Sequence, residues 1–214
     1  MSVVGYKARN HPQQVARGGA RPDVDDRATP PEVFAPLDTR FGFTVDAAAS
    51  AHNAKCPRFW TEADDGLAQP WTGERVWANP PYSFPNLPAW VAKAWREWMT
   101  PERPELVVML LPANRTEQAW WQEMVEPYRD LPGSDLRCEF LPGRTRFLTR
   151  GQTEVGPDER PPFGCCLLIW ETREALSSPR LVPELAVIVR APRPADQIAL
   201  FDHLETAATR ESAS

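Results

Sequence analysis

Between residues 86 and 99 the apolar side chains fall at 87, 90, 91, 94, 95 and 98, with Lys93, Arg96 and Glu97 on the other face. That spacing is helical. The stripe of Trp90, Trp95 and Trp98 therefore predicts core packing before any stacking role. Residues 106–111 form an unbroken apolar run, Leu-Val-Val-Met-Leu-Leu, which predicts a strand buried on both faces. A second helix is predicted over 116–125, with Trp120, Trp121, Met124 and Val125 turned inward. Short apolar or β-branched runs at 75–78, 137–141 and 164–170 predict further strands, and 185–189 a last edge strand.

Upstream, Thr29-Pro30-Pro31-Glu32 has the pattern of a capping box, with Thr29 as N-cap, proline at the first helical position and Glu32 three residues on. It predicts a short helix through Val33, Phe34 and Leu37. The β-branched and aromatic run that starts at Phe41 predicts a strand ending in Asp46, followed by Ala47-Ala48-Ala49. A mostly polar stretch then leads to the strand at 75–78. A Gly, Pro and charge-rich loop covers 149–162.

Strands and helices in alternation imply a three-layer α/β sandwich around a mostly parallel sheet. In such sheets ligands bind at the carboxyl ends of the strands. Asp46, Asn79, Pro112 and Pro142-Gly143-Arg144 all stand where predicted strands stop, which points to one shared crevice. The ordered domain is expected over 29–191, between a flexible arm at 1–28 and a weakly amphipathic tail at 192–214. The first 21 residues carry Lys7, Arg9, Arg17 and Arg21 with no acid, which suits contact with phosphates, although arms of this kind are most often plain solvated termini.

Composition narrows the picture. The 214 residues fit one domain with tails, and the net charge of −5 excludes a global basic field. A local basic cleft stays compatible with it. The four cysteines (Cys56, Cys138, Cys165, Cys166) show no C-x-x-C spacing, and the adjacent pair in an apolar run reads as reduced core thiols. Three histidines without ligand spacing argue against zinc. No apolar stretch approaches 18 residues, and the N-terminus has no apolar signal segment, so a soluble cytoplasmic protein is expected, with no membrane partner.

The segment with most chemistry is Asn79-Pro80-Pro81-Tyr82, directly after the strand at 75–78. Two prolines fix φ twice and remove two donors, so the chain leaving the strand is stiff and offers acceptors: the Asn79 side-chain oxygen and the carbonyls of Asn79 and Pro80. The ring of Tyr82 follows at once. Rigid acceptors beside a flat surface suit a planar amine, such as the exocyclic amino group of a nucleobase.

Taken together, several segments resemble the phage-type adenine-N6 DNA methyltransferases, close to the Dam group. They are Thr29-Pro30-Pro31-Glu32-Val33-Phe34, the run from Phe41 through Asp46 to Ala49, Asn53-Ala54-Lys55-Cys56, Phe59-Trp60-Thr61 with Asp64-Asp65-Gly66-Leu67, Val76 to Tyr82, Val107 to Ala113, and Phe140 to Arg144 with Phe147. They cover about residues 29–170 in the family's order. The resemblance implies a Rossmann-like methyltransferase fold, S-adenosylmethionine as methyl donor and double-stranded DNA as substrate, in a host cytoplasm if the protein is phage-encoded. It implies that Thr29, Pro30, Asp46, Ala47, Asn53 and Asn79 line the cofactor, with Asp64 or Asp65 meeting its adenosine. It implies that Asn79, Pro80, Pro81 and Tyr82 hold a target base flipped out of the duplex. Arg115, Arg144 and Arg146 are the candidate DNA contacts. One departure stands out: Ala47-Ala48-Ala49 replaces the Gly-rich loop usual after the first strand. Cytosine N4, a protein glutamine, or a non-catalytic DNA-binding role on the same fold stay open as alternatives, as does the oligomeric state.

Overall fold

The computed structural model describes residues 28–83, 85–148 and 163–172. In chain order these form helix α1 (Pro31–Phe41), strands β1 (Val45–Asp46), β2 (Arg58–Phe59) and β3 (Arg75–Ala78), helix α2 (Asn86–Trp98), strand β4 (Leu106–Pro112), helix α3 (Ala119–Met124), and strands β5 (Leu136–Phe140) and β6 (Cys165–Glu171). The six strands form one sheet in the order β2-β1-β3-β4-β6-β5. Pairings from β2 through β4 are parallel, whereas β6 runs antiparallel to both β4 and β5. The fold is α/β as expected, but the sheet is mixed: β6 opposes all the others.

Side-chain alternation along the strands divides the core in two. Val76, Ala78, Val107, Met109, Leu111, Cys166, Leu168 and Trp170 face α2 and α3. Trp77, Leu106, Val108, Leu110, Cys165, Leu167 and Ile169 face α1 through Phe34, Leu37 and Phe41. Every residue of β4 is buried, which explains its unbroken apolar sequence. The predicted tryptophan stripe is core: Trp90, Trp95 and Trp98 are all buried, as are Trp120 and Trp121. The Trp95 indole N–H donates to the Met124 carbonyl at 2.8 Å, pinning α2 to α3. All four cysteines are unbridged thiols, and Cys165 and Cys166 are buried.

Four expectations need correction. Thr29 does not cap α1: the N-cap is Pro30, in extended conformation, with no side-chain cap bond. Thr29 and Pro30 each precede a proline, which disfavours helical backbone at both, and the helix begins at Pro31. The expected strand from Phe41 shrinks to Val45–Asp46, because Phe41 closes α1 and Gly42 ends it in the left-handed region at φ 60. Lys93, assigned to the polar face, is 6% exposed; it donates to Glu97 at 2.5 Å and to the Gln69 carbonyl at 2.8 Å. The helix predicted from 116 starts only at Ala119. The short edge strand β2 was not foreseen in its polar stretch. The expectations for 1–27, 149–162, the edge strand at 185–189 and the tail lie outside the described residues. Among the described residues no helix is long and apolar enough to cross a membrane.

Candidate functional site

The chain leaves β1 toward β2 on one side of it and leaves β3 toward β4 on the other. Neighbouring strands whose connections diverge open a crevice at their carboxyl ends. Asp46 ends β1, and Asn79 follows the last residue of β3. Asp46 is paired with Trp77, and the Ala47 N–H donates to the Trp77 carbonyl at 2.8 Å. The two polar residues singled out in the sequence thus stand at adjacent strand ends.

Asp46 is 3% exposed. Its carboxylate accepts the backbone N–H of Ala48 at 3.3 Å and of Lys55 at 3.0 Å. It thereby closes the loop over 47–55 from within. Burial pushes its carboxyl up to about 6, against the opposing pull of those two N–H groups and of the Lys55 charge. Burial likewise lowers the Lys55 ammonium, with the charges of Asp46 and Glu32 resisting. Inside the loop the Asn53 side-chain oxygen accepts the Ser50 N–H at 2.7 Å, so Asn53 shapes the turn.

The missing Gly-rich loop has a counterpart elsewhere in the chain. Gly66 is buried against this loop: a Cβ there would lie 2.1 Å from the Ala47 carbonyl oxygen and 2.9 Å from the Trp90 ring. Only glycine fits, and its partner Ala47 is 1% exposed. Local sequence pattern assigns Gly66 no role, because its contact spans 19 positions of chain. The acids before it differ in their engagement. Asp64, fully exposed, accepts the N–H and hydroxyl of Thr61 at 2.8 and 2.7 Å, which hold its carboxyl below the usual range. Asp65 takes a left-handed φ of 53 and accepts the Leu67 N–H at 3.2 Å.

Beyond β3, Pro80 is buried while Asn79, Pro81 and Tyr82 are half-buried. The Tyr82 hydroxyl lies 2.7 Å from the Asn79 side-chain oxygen and 3.1 Å from the Leu110 carbonyl, and it can donate to either. The ring is clamped edge-on by Phe147 at 6.0 Å and Phe163 at 6.2 Å. Phe147 in turn leads to Leu148, which exchanges two 2.9 Å backbone hydrogen bonds with Ala28. That pairing draws Thr29 and Pro30 inside the protein. The Thr29 hydroxyl is buried and meets no partner, a costly state for a polar group unless a ligand supplies one.

The arginines divide. Arg144 is exposed and Arg146 half-buried in the segment after β5, whereas half-buried Arg115 belongs to the loop after β4. Both segments leave the carboxyl edge of the sheet.

Compared with known families, residues 20–180 match the family described as DNA N-6-adenine-methyltransferase (Dam). Among curated proteins, the chain is 37% identical over 120 residues to the DNA N-6-adenine-methyltransferase of Escherichia phage T1, covering 55% of this chain and 44% of that one. It is 40% identical over 65 residues to the DNA N-6-adenine-methyltransferase of Haemophilus phage HP1 (strain HP1c1), covering 29% of this chain and 38% of that one. The matched stretches thus span less than half the length of either relative.

Proposed function

Because the chain belongs to the DNA N-6-adenine-methyltransferase (Dam) family, we propose that it moves a methyl group from S-adenosylmethionine to the N6 amine of adenine in double-stranded DNA. The observation that carries this reading is the exit of Asn79-Pro80-Pro81-Tyr82 from β3 beside the Asp46 end of β1, where the strand connections diverge. The fold is read as a Rossmann-like methyltransferase sandwich whose opposed strand β6 is inserted between β4 and β5.

The residues present fit the cofactor. An ionised Asp46 suits an ammonium group, the unpartnered Thr29 hydroxyl suits a polar atom, and the Gly66–Ala47 approach keeps side chains out of the crevice. Pro30 and Asn53 line the same side, and Asp64 or Asp65 is left for the ribose or adenine. Bound there, S-adenosylmethionine supplies an electrophilic methyl group.

The work of the protein lies in the amine. Adenine N6 is a poor nucleophile because its lone pair is delocalised into the ring. Hydrogen bonds from its two hydrogens to the Asn79 side-chain oxygen and the Pro80 carbonyl draw the nitrogen toward a tetrahedral shape and localise that lone pair. An amide oxygen accepts two hydrogens, so Asn79 can serve both the amine and the Tyr82 hydroxyl. Positioned acceptors then replace a strong base. Tyr82 and Pro81 border the extruded base, and Arg115, Arg144 and Arg146 meet the DNA backbone.

The test uses radiolabelled S-adenosylmethionine, unmethylated genomic DNA and nucleoside analysis of the digest. N6-methyladenine should accumulate with the wild-type protein, and Asn79→Ala should abolish it while cofactor binding persists. Near-normal turnover by Asn79→Ala would refute the assigned chemistry, and N4-methylcytosine in the digest would refute the assigned base.

A further inference from the structure

Among the described residues Phe140 is the large hydrophobic side chain left outside the core, 58% exposed at the end of β5. Its place in the sheet is informative. Phe140 pairs with Cys166, which pairs with Leu111 of β4. Ala78 of β3 pairs with Met109, so Phe140 stands two rows further toward the carboxyl edge than Ala78 and one beyond Asn79. Three strand spacings separate β5 from β3, about 14 Å along that edge. Phe140 alternates with Leu136 and Cys138 and so takes the α2/α3 side of the sheet, whereas the Phe147 and Phe163 rings pack with Tyr82 in the α1 cluster.

The following residues keep this rim open. Gly143 turns the chain with φ 71, and Pro142, Gly143 and Arg144 are exposed. A bare phenyl ring four residues before an exposed arginine offers the two parts of a DNA contact: a flat apolar face for bases and a cation for phosphate. Extruding an adenine leaves a gap in the base stack, and the unstacking cost falls when an apolar side chain fills it.

We propose that Phe140 inserts into the DNA base stack beside the target adenine and holds the duplex open while the base occupies the Asn79 pocket. This rests on the reading that the chain methylates adenine in DNA. It assigns Phe140 a positioning role, since the ring never meets the methyl group.

The experiment compares full-length wild type, Phe140→Ala and Phe140→Trp on two duplexes carrying the wild type's own mapped adenine. In one the adenine is paired; in the other it faces an abasic site, where extrusion costs little. Phe140→Ala should lose about tenfold to a hundredfold in methylation of the paired duplex, the usual worth of one aromatic–base stack. It should lose far less on the abasic duplex, and Phe140→Trp should restore the paired rate. Thermal stability should be unchanged. Equal losses on both duplexes, an unaffected paired rate, or a clear drop in melting temperature would each overturn the inference. Wild type inactive on both duplexes would fail the methyltransferase reading, and the inference would fall with it.

Discussion

On the proposed reading, Asp46 carries two demands that pull against each other. Its buried carboxyl is raised to about 6, above the unfolded value of about 3.9. The folded state therefore binds this proton more tightly, so the group favours the fold at low pH. That contribution is lost as pH rises through about 6. An ammonium ligand needs the opposite, ionised state. Affinity for S-adenosylmethionine is thus expected to weaken as pH drops below about 6, approaching tenfold per unit. Asp46→Asn should bind weakly at neutral pH and show a flat profile. Calorimetric titration across that range checks it, and parallel profiles for the two proteins would remove Asp46 from the cofactor. The acid was legible at a strand end in the sequence. Its bond to the Lys55 N–H was not, because nothing in the local pattern says which backbone groups a buried carboxylate will meet.

Helix α2 and the loop before β3 behave as one element. Glu97 accepts both the Lys93 ammonium and the Trp71 N–H, the latter at 2.9 Å. Lys93 also lies 5.5 Å from the Trp71 ring, and the Trp71 indole N–H donates to the Gly66 carbonyl at 3.2 Å. Glu97→Ala would strand a buried ammonium, at a cost of about 3–5 kcal/mol. The same change should loosen Gly66 against Ala47, so urea unfolding should shift and cofactor affinity should fall together. A stability loss under about 1 kcal/mol would place Lys93 in a solvated setting after all. At this scale the sequence spoke clearly where burial has a period. The apolar rows of α2, β4 and β6 gave their elements to within a residue or two. It was silent where a contact decides: proline geometry displaced the Thr29 cap, the Gly42 turn cut the first strand short, and an ion pair moved Lys93 indoors.

Across the described residues, segments far apart in sequence meet near Tyr82: Phe147 after β5, which leads into the Ala28–Leu148 pairing, and Phe163 before β6. No local pattern announces such a meeting, although the residues themselves were recognisable one by one. The position of β6 has a further consequence, for the order in which the protein can be made. It is the last described strand in the chain yet sits between β4 and β5, pairing with β4 from Leu106 to Pro112. Until it arrives, β4 presents an open apolar edge, the kind that recruits other chains. Pairing across so long a separation in sequence is slow to form. A nascent chain on the ribosome therefore cannot close its sheet until Glu171 has cleared the exit tunnel. Stalled chains ending at residue 163 should remain protease-sensitive and bound by chaperones, whereas longer ones released past that point should become resistant. Early protection of the shorter chains would mean that β4 finds another partner first.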